Sequence, residues 1–232
     1  MKESRRSVPE VIAFLRSVPL FADLDQATLN RLTRVCRSAS LPKGYMLFNY
    51  SDPAESAYVV YSGRIDIMLT TADGRELVIN EMGPGDCFGE LSLVTNLPRS
   101  TNAVARRASD VLIIPRDEFL SELEANPKML RCLLETTAHR LQTSGEREGA
   151  LAFLDAAARL ARVLLQLDLE FSADGFVTIS QDDLAQRLGL ARQTVAKTLG
   201  QWRRSGWLVT GRGKIVVLNR PALRRIAEEA DY

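Results

Sequence analysis

The chain has 232 residues, of which 46% are apolar and 25% charged, and a formal net charge of +1. This composition is typical of a folded globular protein and excludes a disordered, collagen-like or disulfide-scaffold chain. No stretch approaches the ~18 consecutive apolar residues of a membrane span, and the N-terminus lacks a signal-peptide core, so we expect a cytoplasmic protein.

The three cysteines, Cys36, Cys87 and Cys132, are scattered without CxxC spacing, and His139 is the single histidine. This pattern predicts neither a disulfide framework nor a zinc or iron–sulfur site. A Ser-His-Asp triad would have to be built around one imidazole, so a hydrolytic enzyme is disfavoured. We expect no metal and no resident cofactor.

Apolar residues between Pro9 and Arg37 recur at helical spacing, which predicts two short helices, the second capped by Asp23 or Asp25. From Leu41 the pattern changes to short apolar runs separated by the turn sequences PKG, SDP, SGR, ADGR and GPGD. Turns every ~8 to 12 residues indicate a small antiparallel β-roll or barrel.

A long helix is predicted from Asn126 and Pro127, which provide an N-cap and a first helical residue. Stepping alternately by four and three residues along it gives Leu130, Leu134, Thr137, Leu141, Ser144, Glu148, Leu151 and Asp155. We call this set the seam. An exposed dimer seam explains the 3.5-residue period better than a plain core helix does, and its polar second half leaves room for a polar ligand.

A second half of the chain begins at Asp155, which is predicted to cap a helix to about Leu169. There follow a strand over 176–179, a helix to Leu188 capped by a Ser180–Asp183 pair, a turn at Gly189, a helix over 191–204 and a hairpin over 211–213. Between Gly175 and Arg220 lie eight basic residues and two acidic ones, so the basic charge is concentrated here.

These elements predict a winged helix-turn-helix whose second helix enters the major groove of DNA. Arg192 suits guanine, Gln193 suits adenine, and Lys197 suits guanine or phosphate. The predicted DNA-binding residues are Ser180, Arg192, Gln193, Thr194, Lys197, Arg212 and Lys214. Any one of them taken alone also fits a solvated helix face, but the charge surplus, the glycine turn and the wing together favour DNA binding.

The segment GDCFGELSLVTNLPRST, from Gly85 to Thr101, lies between two β runs. Gly89 lets the backbone approach a ligand, and the amides of a short helix near Glu90 together with Arg99 can hold an anion. Glu90 can only accept, which suits a ribose hydroxyl. Judged by spacing alone, however, such a Glu and Arg are more often surface charges than a site.

FGELSL followed by PRST resembles the phosphate-binding cassette of cyclic-nucleotide-binding domains. HRLQTSGEREGALAFLD followed by the helix-turn-helix resembles the CRP/FNR family of bacterial regulators, the family of the catabolite activator protein. The resemblance spans about Phe14 to Asn219. It implies an α+β fold with an N-terminal β-roll nucleotide-binding domain (1–125), a long dimerisation helix (126–154) and a C-terminal winged helix-turn-helix (155–232).

The same resemblance implies a homodimeric transcription factor, not an enzyme, that binds a palindromic operator in double-stranded DNA under the control of a cyclic nucleotide, with cAMP the first candidate. It assigns Glu90 to the ribose 2′-hydroxyl, and Arg99 and Ser100 to the cyclic phosphate. The ligand-binding residues it implies are Gly89, Glu90, Leu91, Ser92, Arg99, Ser100 and Thr101 in the cassette, Asn80 and Met82 on the base side, and Arg140, Thr143 and Ser144 on the long helix.

Three departures from the family pattern leave alternatives open. Ser144-Gly145 stands where the catabolite activator protein has a Thr-Ser pair, so cyclic di-GMP, another effector, or activity without a ligand remain alternatives to cAMP. Tyr50-Ser51-Asp52 replaces the usual acidic-glycine-aspartate turn of the roll. The loop after Leu169 is short, which leaves a contact with RNA polymerase open.

Two further alternatives are disfavoured. An enzyme or kinase-regulatory nucleotide module would not need the helix-turn-helix, and the chain has no acid–base–nucleophile set. The N-terminus lacks the cysteine cluster of oxygen-sensing relatives. Haem is not expected either, because His139 does not match the haem ligands of the carbon-monoxide sensors.

Overall fold

The structure, a computed structural model, describes residues 2–4, 6–71, 76–171 and 175–228, with side chains except at 2–4 and 146–153. Its contacts divide the chain into two compact units, Met1–Thr70 with Ile79–Arg140 and Thr71–Val78 with Leu141–Tyr232. Within the described ranges, no helix combines the length and apolar character needed to cross a bilayer.

The first unit begins with a strand, β1 (Lys2–Ser4), and two helices, α1 (Val8–Ser17) and α2 (Gln26–Val35), joined through a 3-10 turn. Both helices were predicted. Asp25, rather than Asp23, caps α2, because its carboxylate accepts from the Thr28 amide at 2.7 Å. Strand β1 has no apolar signature in the sequence and was not predicted.

Eight further strands form the roll: β2 (Arg37–Leu41), β3 (Met46–Phe48), β4 (Ser56–Ser62), β5 (Ile65–Thr70), β6 (Glu76–Met82), β7 (Cys87–Phe88), β8 (Asn102–Ala105) and β9 (Ser109–Pro115). They lie in two sheets, of order β1-β2-β9-β4-β7 and β3-β8-β5-β6. The alternating apolar residues of these strands meet in a common core that includes Phe48, Val60, Ile65, Phe88 and Val111. The predicted antiparallel roll is confirmed.

Three helices accompany the roll: α3 (Glu90–Val94), α4 (Arg116–Ala125) and α5 (Pro127–Phe153). Phe119 of α4 and Met129 of α5 are buried with Leu15 of α1 and Leu29 of α2 in a second apolar cluster. This packing fixes the first turns of the long helix against the N-terminal helices.

The predicted start of the long helix is right in position, although Asn126 acts differently from the prediction. Its backbone carbonyl accepts from the Leu130 amide at 3.1 Å, while its side-chain amide donates back to the Glu122 carbonyl at 2.8 Å. Because α5 ends at Phe153, Asp155 is not on this helix and its place in the seam is wrong, whereas its predicted role as the cap of the next helix is confirmed. The side chains of Glu148 and Leu151 lie outside those described.

The second unit contains α6 (Ala156–Glu170), β10 (Val177–Thr178), α7 (Gln181–Leu188), α8 (Arg192–Arg204), β11 (Leu208–Gly211), β12 (Lys214–Val217) and α9 (Arg220–Glu228). The three strands pair in the order β10-β12-β11. Buried Leu164, Leu184, Val195 and Trp202 join the helices and this small sheet in one core. The winged helix-turn-helix is confirmed.

Two predicted elements in this unit have different bounds in the structure, and one helix is additional. The first strand is limited to Val177–Thr178, and the recognition helix α8 begins at Arg192, with Ala191 as its N-cap. Helix α9 was not predicted. It packs on α6, and Arg220 donates to the buried Asp168 carboxylate from Nε at 2.6 Å and from Nη2 at 3.1 Å.

Candidate nucleotide site and DNA-binding surface

Gly89 forms the turn between β7 and α3. Its φ of +76° is a left-handed conformation that glycine adopts readily. A Cβ at this position would lie 2.8 Å from Arg99 Nη1 and 3.1 Å from Tyr58 Cδ2. The turn therefore requires glycine both for its backbone angle and for the close approach of Arg99.

Glu90, the first residue of α3, has only 1% of its surface exposed. Burial raises the pKa of its carboxyl group, and the nearby Arg140 guanidinium opposes that shift. Arg140 Nη1 donates to Glu90 Oε1 at 2.7 Å, and its Nη2 donates to the Cys87 carbonyl at 2.7 Å. One side chain of the long helix thus holds both the carboxylate and the end of strand β7.

Arg99 is a buried cation with 3% of its surface exposed. Its Nη1 donates to the Gly89 carbonyl at 2.5 Å and its Nη2 to the Ser56 carbonyl at 2.6 Å. The guanidinium also lies over the Phe48 and Tyr58 rings, 4.4 Å and 5.5 Å from their centroids.

The charge of Arg99 is incompletely compensated within the described residues. No carboxylate among them lies within 4.0 Å of the guanidinium, and its buried Nε has no hydrogen-bond partner there. Burial lowers the pKa of Arg99, and Tyr58 is the largest opposing influence. Neutral carbonyls and rings position this cation without cancelling its charge, so it is suited to pair with an anion.

The turn that departs from the family pattern holds the backbone of Arg99. The Ser51 amide donates to the Arg99 carbonyl at 2.8 Å, and the Arg99 amide donates to the Asp52 carbonyl at 2.9 Å. Ser51 has a φ of +68°, a left-handed angle that is uncommon for a residue with a Cβ. Ser51 therefore has the backbone conformation that glycine adopts readily.

Contacts bring Gly89, Glu90, Arg99, Arg140 and Met82 together, since Met82 Sδ lies 4.0 Å from Arg140 Nη2. The remaining predicted residues have varied surroundings. Ser92 is buried and donates to the Pro98 carbonyl at 3.3 Å, Leu91 and Ser100 are exposed, and Thr101 and Asn80 are half-buried. On α5, exposed Thr143 and half-buried Ser144 belong to the second unit.

The sequence did not indicate Phe48 and Tyr58, nor Ser56 and Cys87, whose carbonyls accept from Arg99 and Arg140. All four lie on strands of the roll, and their alternating pattern indicates only that they fit a sheet. No local sequence signal identifies which strand residues surround an arginine from a distant loop.

The start of the helix-turn-helix is set by local capping. Ser180 Oγ accepts from the Asp183 amide at 3.1 Å, and the Ser180 amide donates to Asp183 Oδ2 at 3.4 Å, as predicted for the pair. Gly189 ends α7 with a φ of +61°. Ser180 thus has a structural role at the N-terminus of α7 in addition to its predicted role on DNA.

The recognition helix α8 has one buried and one exposed face. Val195, Leu199 and Trp202 are buried in the core of the unit. The predicted DNA-binding residues Arg192, Gln193 and Lys197 are exposed, and Thr194 is half-buried. The base-reading candidates therefore lie on the solvent face of this helix.

The hairpin of β11 and β12 carries the two predicted wing cations. Arg212 is exposed in the turn, and Lys214 is exposed with its Nζ 4.0 Å from the centroid of the Phe176 ring. A groove of about 240 Å³ separates the hairpin from the first residues of α7 and α8.

Comparison with known proteins identifies both units. A family model described as the cyclic nucleotide-binding domain matches residues 39–126, and one described as the Crp-like helix-turn-helix domain matches residues 158–226. The CRP-like cAMP-activated global transcriptional regulator of Mycobacterium tuberculosis (strain ATCC 25618 / H37Rv) is 30% identical over 195 residues, which cover 82% of this chain and 87% of that protein.

Two further relatives differ in the effector that their names state. The cAMP-activated global transcriptional regulator CRP of Salmonella typhimurium is 29% identical over 197 residues, 82% of this chain and 93% of that protein. The solved structure of CLP, a c-di-GMP-responsive global regulator of Xanthomonas campestris, is 26% identical with a TM-score of 0.75, covering 83% of this chain and 99% of that one. The two matched domains, their order and the identity to these relatives show that the chain belongs to the CRP/FNR family of transcriptional regulators.

Proposed function

We propose that the protein is a homodimeric transcriptional regulator whose binding to a palindromic operator is controlled by cAMP bound in the β-roll. We assign residues 1–125 to nucleotide binding, 126–154 to dimerisation and 155–232 to DNA binding. A protein that acts on bacterial chromosomal DNA works in the cytoplasm.

Arg99 carries the ligand assignment. It is a buried guanidinium without a carboxylate partner among the described residues, so an anion that enters beside it gains a charge-assisted hydrogen bond in a water-poor site. The amides at the N-terminus of α3 follow directly after Gly89. A cyclic phosphate fits these donors.

Glu90 and Arg140 give the ligand a route to the long helix. A ribose 2′-hydroxyl that donates to Glu90 shares a carboxylate that already accepts from Arg140. Arg140 is on α5, the same helix that carries the seam. Binding of the sugar therefore changes the interactions of a side chain on the dimerisation helix, and Thr143 and Ser144 follow it within about one turn.

Exposed leucines on α5 support the homodimer. Leu130, Leu134 and Leu141 have 51%, 68% and 73% of their surface exposed, whereas Met129 and Leu133 of the same helix are buried. A helix with one apolar face in the core and a second apolar row in solvent is expected to bury that row against a second copy.

For DNA recognition, the dimer would place two copies of α8 in successive major grooves, about 34 Å apart. Arg192, Gln193 and Lys197 lie on the solvent face of α8, and Arg212 and Lys214 on the hairpin would contact the phosphate backbone.

A second candidate effector is cyclic di-GMP. Gly145 follows Ser144 where a second hydroxyl would serve the adenine of cAMP, so one donor to that base is absent from each subunit. The similar CLP structure is of a regulator whose name states a response to c-di-GMP.

Calorimetry with cAMP, cGMP and cyclic di-GMP, each titrated into wild type and Arg99→Ala, tests the proposal. We expect one nucleotide to bind, and Arg99→Ala to weaken its binding by about 2 kcal/mol, since a hydrogen-bonded charge is removed. Arg107→Ala is the matched control, because Arg107 is an exposed arginine that donates to the Gly63 carbonyl at 3.3 Å. Equal nucleotide affinity in wild type and Arg99→Ala would contradict the site.

A further inference from the structure

An acidic residue contacts the first residue of the recognition helix. Asp182 is the second residue of α7 and Arg192 the first of α8, and Asp182 Oδ1 lies 3.2 Å from Arg192 Nε. Both side chains are largely exposed, at 61% and 67%, and both line the groove beside the hairpin. The carboxylate therefore lies on the surface proposed to face DNA.

The atom that Asp182 contacts determines which part of Arg192 remains available. A guanidinium has five N–H donors in one plane, and two of them at a time can pair with guanine O6 and N7. Because Nε is next to Asp182, the edge formed by Nη1 and Nη2 is the one left for a base. We infer that Asp182 is a specificity-determining residue that positions Arg192 for end-on pairing with guanine.

The charge of Asp182 has a second consequence. Paired with a carboxylate, Arg192 adds little net positive charge to the surface, and the carboxylate repels phosphate groups of any sequence. Asp182 should thus weaken non-specific binding while keeping the guanine contact. An exposed ion pair contributes little to the stability of the free protein. The Asp182–Arg192 pair should therefore act in the complex with DNA, where water is excluded and the interaction between the two charges is stronger.

The inference rests on the proposed DNA-binding function and is tested with two duplexes of equal length, the operator selected from a randomised palindrome and its scrambled sequence. Asp182→Asn keeps the shape of the side chain and removes its charge. We expect this variant to bind scrambled DNA about fivefold more tightly than wild type does. The ratio of its operator affinity to its scrambled-DNA affinity should fall by about the same factor or more, and its DNA affinity should decrease more steeply with salt concentration.

Two further variants separate a specific role from a general change of charge. Glu170→Gln removes one negative charge from α6, where Glu170 is exposed and accepts from Gln166 at 3.0 Å, and it should leave the operator-to-scrambled ratio unchanged. In an Arg192→Ala background, Asp182→Asn should no longer alter that ratio, because the residue through which Asp182 acts is absent.

The outcomes distinguish the inference from the proposed function. A wild-type protein that prefers no selected duplex over scrambled DNA contradicts the proposed function and the inference with it. Wild-type discrimination that persists in Asp182→Asn, or an equal loss in Glu170→Gln, contradicts the role of Asp182 alone.

Discussion

Replacing Gly89 by alanine should damage the nucleotide site and the stability of the roll together. A left-handed φ costs a residue with a Cβ about 1 kcal/mol. The new Cβ would lie 2.8 Å from Arg99 Nη1, and an ordinary contact needs at least 3.4 Å. Arg99 Nη1 must then move, which weakens or breaks its hydrogen bond to the Gly89 carbonyl; a hydrogen bond of a charged group contributes about 1.5 to 3 kcal/mol.

Gly44→Ala provides the control for backbone strain. Gly44 has a φ of +82°, but a Cβ there would have no atom within 4 Å, so only the cost of the left-handed angle, about 1 kcal/mol, applies. Urea unfolding followed by far-ultraviolet circular dichroism should therefore show Gly89→Ala to be less stable than Gly44→Ala by about 1.5 kcal/mol or more.

Two independent measurements complete the test. Both tryptophans, Trp202 and Trp207, belong to the second unit, so their fluorescence should show that unit unchanged in either variant. Nucleotide affinity should fall about tenfold or more in Gly89→Ala and stay at the wild-type value in Gly44→Ala. Equal stability and equal nucleotide affinity of the two variants would refute the contact between Gly89 and Arg99 as the cause.

Three further predictions concern the seam, base choice and pH. Leu134→Glu should sediment as a monomer, since it places a charge in the exposed apolar row of α5. The control Thr136→Glu changes an exposed position on the opposite side of the helix and should remain dimeric. If Leu134→Glu is also dimeric, the dimer interface lies elsewhere. Gln193→Glu should change the preference at the base pair facing that residue from A·T toward G·C, by about 1 to 3 kcal/mol, in binding selection from a randomised palindrome. Identical selected motifs for wild type and Gln193→Glu would exclude base contact by Gln193. Burial raises the pKa of Glu90 above 4.5, so its carboxyl stabilises the fold at low pH and this contribution is lost as the pH rises through the raised pKa. Urea unfolding at a series of pH values should therefore show that wild type loses stability relative to Glu90→Gln as the pH rises through the raised pKa. A difference in the free energy of unfolding that does not change with pH would contradict the pKa shift.

The parts of the fold that could be predicted have local signals. Asp25, Asp155 and the Ser180–Asp183 pair cap helices through amides only three residues away, so spacing identifies Asp155 and the Ser180–Asp183 pair, and it narrows the cap of α2 to Asp23 or Asp25. The period of the roll strands and the exposed row on α5 were equally visible. Helix α9 was missed although it has signals of the same local kind. Asn219 Oδ1 accepts from the Ala222 amide at 3.0 Å, Pro221 lies in the first turn, and the buried Leu223 and Ala227 are four residues apart.

The candidate site was likewise predictable only where its residues lie close together in the sequence. Gly89, Glu90 and Arg99 fall within one short segment, and the family resemblance assigned their roles. Their surroundings were not predictable, because the Phe48 and Tyr58 rings and the Ser56 carbonyl come from separate strands. The ion pair between Asp182 and Arg192 depends likewise on the angle at which two helices meet.

The bond between Arg140 and Glu90 determines how the protein can be divided into fragments. The cyclic nucleotide-binding family model ends at residue 126, and a fragment cut there would retain Glu90 but lose the guanidinium that accompanies it. A buried carboxylate without its cation is costly, so such a fragment is expected to be unstable or to protonate Glu90. An expressible nucleotide-binding fragment should extend through Arg140, even though that includes about half of α5 and the exposed Leu130 and Leu134.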